Sequence, residues 1–133
     1  MTEATVFVIS ENPAVRDAVS ELATSGGLLA ETFPSLEAWR EAVPSARQGC
    51  LVLDARVLDL SGPERLARLT ATCLRHPVLL LVDRGDVPTA VSAIRAGVFE
   101  VIEKPLRNAN LLERIRIAAA ASQRPNTAGC CGD

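Results

Sequence analysis

The chain has 133 residues, 48% of them hydrophobic and only 3% aromatic, which is one ordinary domain with an aliphatic core. A formal charge of −2 and the lack of any Arg/Lys run give no electrostatic basis for nucleic-acid binding. No apolar stretch reaches membrane-spanning length, and residues 1–10 lack the basic region and apolar run of a signal peptide, so a cytoplasmic protein is expected.

Strands and helices alternate along the chain. "TVFVI" (5–9) is a short apolar strand. In "NPAVRDAVSELATSGG" (12–27), Asn12 suits a helix cap and Pro13 the first turn. Val15, Ala18, Val19 and Leu22 then recur at helical spacing until Gly26 and Gly27 stop the helix. "LLAETF" (28–33) is a second strand, and "SLEAWREAV" (35–43) a short helix ended by Pro44. "CLVLD" (50–54) is a third, wholly apolar strand that runs straight into Asp54. "GPERLARLTATCL" (62–74) is helical, "PVLLLV" (77–82) a fourth strand, and "VPTAVSAIRAG" (87–97) a helix opened by Pro88 and closed by Gly97. "FEVIE" (99–103) is a fifth strand. "NANLLERIRIAAAASQ" (108–123) is a last helix capped by Asn108. The remainder, "RPNTAGCCGD", has no apolar period, so residues 1–122 are expected to fold and 123–133 to form a disordered tail or the start of a linker.

Strands 1, 3 and 4 are continuously apolar, as required when helices cover both faces of a parallel sheet. The predicted fold is a doubly wound (βα)5 sandwich, and ligands of such folds bind at the carboxyl ends of the strands. No Gly-rich loop follows strand 1, which excludes a dinucleotide or P-loop site. Adjacent Cys130 and Cys131 with a single histidine, His76, do not make a zinc site. Cys50 and Cys73 read as small core residues, and His76 as the residue closing a helix.

At the carboxyl edge the chain places Ser10 and Glu11 after strand 1, Asp54 after strand 3, Val82 and Asp83 after strand 4, and Lys104 after strand 5. Two carboxylates can share a hard divalent cation, a lysine ammonium can neutralise a phosphoryl group, and a carboxylate can act as a nucleophile toward phosphorus. Taken alone, Asp54 also fits a turn residue, Glu11 a solvated residue ahead of a helix, and Asp83 and Asp59 loop residues.

With these residues in place, the chain resembles the receiver domain of two-component response regulators over residues 4 to about 121, most closely the FixJ subgroup. The resemblance rests on "LVLDARVLDLSGPE" (51–64) and "GDVPTAVSAIRAGVFEVIEKPL" (85–106), with Asp59 and Ser61-Gly62 in the intervening loop. It implies a flavodoxin-like sheet of order 2-1-3-4-5. It implies Asp54 as phosphoacceptor from a histidine kinase, and Mg²⁺ held by Glu11, Asp54 and the backbone carbonyl of Arg56. It further implies Lys104 on the phosphoryl oxygens and a cis bond before Pro105. It also implies a signalling module rather than an enzyme, with transcription as the output.

The chain departs from the family at four positions, Ser10, Val82, Asp83 and Val101; Asp83 stands where a small residue is usual, a further carboxylate able to repel phosphate or to stand in part for the lost metal charge. Ser10 replaces one of an acidic pair, which implies weaker Mg²⁺ binding. Val82 replaces a hydroxyl residue and Val101 an aromatic, the two halves of the family's switch. A phosphorylation-independent pseudo-receiver, acting as an interaction or dimerisation module, is therefore the alternative. The face of helix 4, strand 5 and helix 5 carries Arg95, Arg107, Arg114 and Arg116 among Glu100, Glu103 and Glu113. The resemblance implies a homodimer through that face, and the broad apolar pattern of Leu111, Leu112, Ile115 and Ile117 suggests a partner.

Overall fold

The computed structural model describes residues 5–44, 47–57 and 63–122. The expectations for Asp59, Ser61 and Gly62, and for the tail with Cys130 and Cys131, lie outside the described residues.

Five strands alternate with five helices: β1 (Thr5–Ile9), α1 (Pro13–Ser25), β2 (Leu29–Phe33), α2 (Leu36–Ala42), β3 (Gly49–Asp54), α3 (Pro63–Arg75), β4 (Val78–Val82), α4 (Val87–Ala96), β5 (Glu100–Glu103) and α5 (Asn108–Ser122). A single 3-10 turn, Ala55–Val57, follows β3. All strand pairs are parallel, in the order β2-β1-β3-β4-β5. This is the doubly wound fold that the sequence pattern predicts, and every residue of β1, β3 and β4 is buried.

Alternation along the buried strands divides the core in two. Val6, Val8, Cys50, Val52, Leu79 and Leu81 face Leu111, Ile115, Ala118 and Ala119 of α5 and Val19 and Ala23 of α1. On the opposite face, Phe7, Ile9, Leu51, Leu53, Leu80 and Val82 meet Leu36 and Trp39 of α2, Leu69 of α3, and Ala93 and Ala96 of α4. Burial of each such side chain removes apolar area from water and contributes about 1.5–3 kcal/mol. A one-residue slip in any central strand would exchange the two faces, so this pattern fixes the register.

The helix ends follow local chemistry. Asn12 accepts the Ala14 N–H at 2.9 Å, Ser35 accepts that of Ala38 at 3.1 Å, and Asp86 accepts that of Thr89 at 3.2 Å. Helix α4 thus starts one residue before Pro88, which occupies the tolerated first turn. It ends at Gly97, whose φ of +96° is the left-handed conformation that favours glycine. The expected cap at Asn108 shifts by one: Asn108 is already helical, and the Arg107 carbonyl accepts from Leu111 N.

His76 is more than the end of a helix. Its ring is buried between Phe7 and Trp39, at centroid distances of 6.2 and 5.2 Å, and its Nε2 donates to the Arg47 carbonyl at 2.8 Å. Burial pushes its pKa down from the usual 6.5, with Arg75 adding to the effect against the raising influence of the Arg47 carbonyl. The same burial raises Cys50 to about 12. Both cysteines read as core residues do contribute there, Cys50 fully buried and Cys73 partly.

Candidate functional site

The parallel register carries the chemically active side chains to one edge. Asp54 closes β3 and pairs with Leu81 of β4, while Val82 pairs with Glu103 of β5. Lys104 follows directly, its N–H donating to the Val82 carbonyl at 2.9 Å. Asp54 and Lys104 therefore flank the end of the same central strand.

Asp54 is only 2% exposed, so its carboxylate oxygens need donors to replace water. Three are present. Ser10 Oγ donates to Oδ2 at 3.0 Å, and the Arg56 backbone N–H and Lys104 Nζ donate to Oδ1 at 3.2 and 3.1 Å. The Lys104–Pro105 peptide is cis. Lys104 retains 24% side-chain exposure, which leaves its ammonium facing both the buried carboxylate and the rim.

Ser10 is fully buried. Its backbone N–H donates to Phe33, and its hydroxyl accepts from Asn12 N at 3.1 Å while donating to Asp54. Arg16 bonds its carbonyl. The residue that sequence reasoning treats as a lost carboxylate is thus a hydrogen-bond donor to the carboxylate that remains. Glu11 lies next to it, exposed at the rim.

Val82 is 2% exposed, and Val101 packs against the same apolar cluster. The register sets Val101 opposite Leu80. Both positions are filled by close-packed aliphatic side chains with no polar atom to direct at the site.

The residue that the sequence undersold is Asp83. Its Oδ1 lies 3.5 Å from Lys104 Nζ and its Oδ2 lies 3.5 Å from Arg56 Nε. Asp54, Lys104, Asp83 and Arg56 form a chain of alternating charge across the strand edge. The sequence marks it as a carboxylate just past the end of β4, a position that any doubly wound fold directs toward the site, but not as a bridge between Lys104 and Arg56.

Among the described residues no three His, Cys, Asp or Glu side chains lie close enough to hold a metal ion together. The donors that remain, Glu11, Asp54 and the Arg56 carbonyl, are all oxygen. They fit Mg²⁺, which needs only one or two carboxylates when water and phosphate oxygens complete its shell. A neutral Ser10 makes that set poorer in charge.

Beside the site, an open groove runs between β5 and α5, lined by Arg84, Glu100, Lys104, Arg107 and Arg114. Arg114 pairs with Glu100 at 3.2 Å. On α4, Val87, Val91 and Ile94 are all exposed, forming an apolar ridge at helical spacing. The apolar excess that the sequence suggests for α5 is smaller: Leu111 and Ile115 are buried and Ile117 is exposed. Among the described residues no helix is long and apolar enough to cross a membrane.

Comparison with known proteins gives concordant results. Residues 6–116 match the response regulator receiver domain family. The chain is 34% identical over 119 residues to the transcriptional regulatory protein FixJ of Rhizobium meliloti, covering 90% of this chain and 58% of that protein. It is 35% identical over 123 residues to the response regulator protein TodT of Pseudomonas putida F1, covering 91% and 54%. The chain thus spans a little over half the length of these relatives. The crystal structure of FixJ-N superposes with a TM-score of 0.76 at 33% identity, covering 90% of this chain and 96% of that one. Full-length FixJ from B. japonicum gives 0.78 at 32%, covering 92% and 61%.

Proposed function

Since this chain belongs to the response regulator receiver family, in its FixJ-like branch, we propose that it accepts a phosphoryl group on Asp54 from a partner histidine kinase and conveys that state to a transcriptional output. Receiver domains are signalling modules rather than classical enzymes. The observation that carries the proposal is the buried Asp54 carboxylate held 3.1 Å from the Lys104 ammonium at the carboxyl end of a central strand. A carboxylate so placed is a fixed nucleophile toward phosphorus, and the ammonium offsets the charge that arrives with the phosphoryl group. Ser10 and the Arg56 N–H hold the carboxylate in one orientation. Receiver domains generally use Mg²⁺ at the phosphorylation site. Here Glu11, Asp54 and the Arg56 carbonyl would hold it, and the ion would supply positive charge for the arriving phosphoryl group.

Residues 1–122 are proposed as the receiver unit, working in the cytoplasm. Pairing of two copies through α4, β5 and α5 is supported by the exposed Val87, Val91 and Ile94 and by the mixed charges of the adjoining groove. The test of the central proposal is incubation with acetyl phosphate and Mg²⁺, read by intact mass. The wild-type chain gains one phosphoryl mass and Asp54→Asn does not. A wild-type chain that stays unlabelled, or a label that persists in Asp54→Asn, refutes it.

A further inference from the structure

Lys104 serves two carboxylates at once. Asp54 holds it at 3.1 Å from inside the protein and Asp83 at 3.5 Å from the rim, and Asp83 also engages Arg56 at 3.5 Å. Asp54 is 2% exposed and Asp83 48%, so Lys104 links a buried carboxylate to a half-exposed one at the rim. A phosphate-bearing donor that engages Lys104 therefore comes close to the Asp83 charge.

We propose that Asp83 is a positioning residue that restrains phosphorylation: it holds Lys104 and Arg56 in the resting state and yields both to the phosphoryl group once Asp54 carries it. The inference rests on Asp54 being the phosphoacceptor. In the transfer a bond forms from an Asp54 carboxylate oxygen to phosphorus. The bond from phosphorus to the donor's leaving oxygen breaks, and acetate departs with the electron pair when acetyl phosphate is the donor. The product replaces the single Asp54 charge beside Lys104 with about two on the phosphoryl oxygens, a net gain of about one negative charge. A phosphoryl group competes for an ammonium and a guanidinium better than a single half-exposed carboxylate does.

Release of Asp83 has a route outward. Asp83 opens the loop to α4, and the Asp86 side chain in that loop caps the helix through Thr89 N at 3.2 Å. The loop is tied to β5 at one further point, where Gly85 N donates to Glu103 Oε2 at 2.9 Å. An exchange of ion pairs at Asp83 thus acts on the start of α4 without any hydroxyl or aromatic side chain at positions 82 and 101.

The test uses the full chain with acetyl phosphate and Mg²⁺, following label by intact mass in wild type, Asp83→Asn and Asp83→Glu at low and high salt. Removing one like charge from the approach should speed labelling by about threefold to tenfold in Asp83→Asn. Asp83→Glu keeps the charge and should stay near the wild-type rate. The advantage of Asp83→Asn should shrink toward one at about 1 M salt, where the screening length is near 3 Å. A merely structural effect would not follow charge and ionic strength in this way. Equal low-salt rates for wild type and Asp83→Asn, with both labelled, overturn the role of Asp83 and leave Asp54 as acceptor. No label in any of the three removes the acceptor reading and this inference with it.

Discussion

Substituting Lys104 by Met keeps the aliphatic stem and removes the ammonium that pairs with Asp54 and Asp83; a double-mutant cycle with Asp54 isolates the first pair. At 3.1 Å and an effective dielectric near 20, the attraction between Lys104 and Asp54 is about 5 kcal/mol before other costs. The ammonium must give up part of its own hydration, because its side chain keeps only 24% exposure. Asp54 also keeps two other donors, Ser10 Oγ and Arg56 N–H, after the substitution. The net loss of stability is therefore about 2–3 kcal/mol, the range for a hydrogen bond to a buried charge. Urea unfolding followed by circular dichroism at pH 7, low salt and without Mg²⁺ measures it. The companion variants Asp54→Asn and Asp54→Asn/Lys104→Met complete a double-mutant cycle. In the Asn background the same Lys104 substitution should cost less than about 1 kcal/mol, since no buried charge is left unpaired. A Lys104→Met cost below about 0.5 kcal/mol, or an equal cost in both backgrounds, refutes the reasoning.

Two further outcomes concern the scaffold. Because folding lowers the His76 pKa from 6.5, the unfolded chain binds the extra proton below that pH. Stability is full above pH 6.5 and falls as pH drops, by at most about 1.4 kcal/mol per pH unit, levelling off once the folded pKa is passed. Urea midpoints between pH 7.5 and 5.5 should lose that component of slope in His76→Asn; an unchanged slope would exclude His76 as its source. Gly49 opens β3 opposite Thr5, and a Cβ there would lie 2.4 Å from Phe7 Cε2 and 2.5 Å from the Thr5 carbonyl oxygen. Gly49→Ala should cost about 3 kcal/mol, whereas Gly27→Ala meets open space and should cost about 1 kcal/mol from its φ of +85° alone. Equal costs in denaturant titrations would contradict the contact argument.

The fold was legible because its signals are local and repeated. Uninterrupted apolar runs at β1, β3 and β4, and helices opened by Asn12 or Ser35, can be read from neighbours in sequence. The sequence also brought Asp54 and Lys104 to one edge, since strand order alone does that. What escaped it depends on side chains reaching between strands. The bridge from Asp83 to both Lys104 and Arg56, and the turning of the Ser10 hydroxyl onto Asp54, have no periodic signature. His76 follows the same rule: its place after a helix was evident, but its burial against Phe7 and Trp39 joins residues 37 and more positions apart. The exposed ridge of α4 was missed because Val87, Val91 and Ile94 keep helical spacing whether they face the core or water.

The aromatic packing on one side of the sheet gives the protein a built-in optical reporter. The chain has one tryptophan and no tyrosine, so its emission comes from Trp39 alone. That indole lies edge-on to Phe7 at 5.9 Å and to His76 at 5.2 Å, in the layer between α2 and the sheet. Protonation of a neighbouring imidazole, or loosening of α2, changes the light it emits. A rearrangement confined to the loop before α4 leaves it dark to the event. Fluorescence and labelling at Asp54 thus observe different halves of the same small domain, and their agreement or divergence tells how far a signal travels.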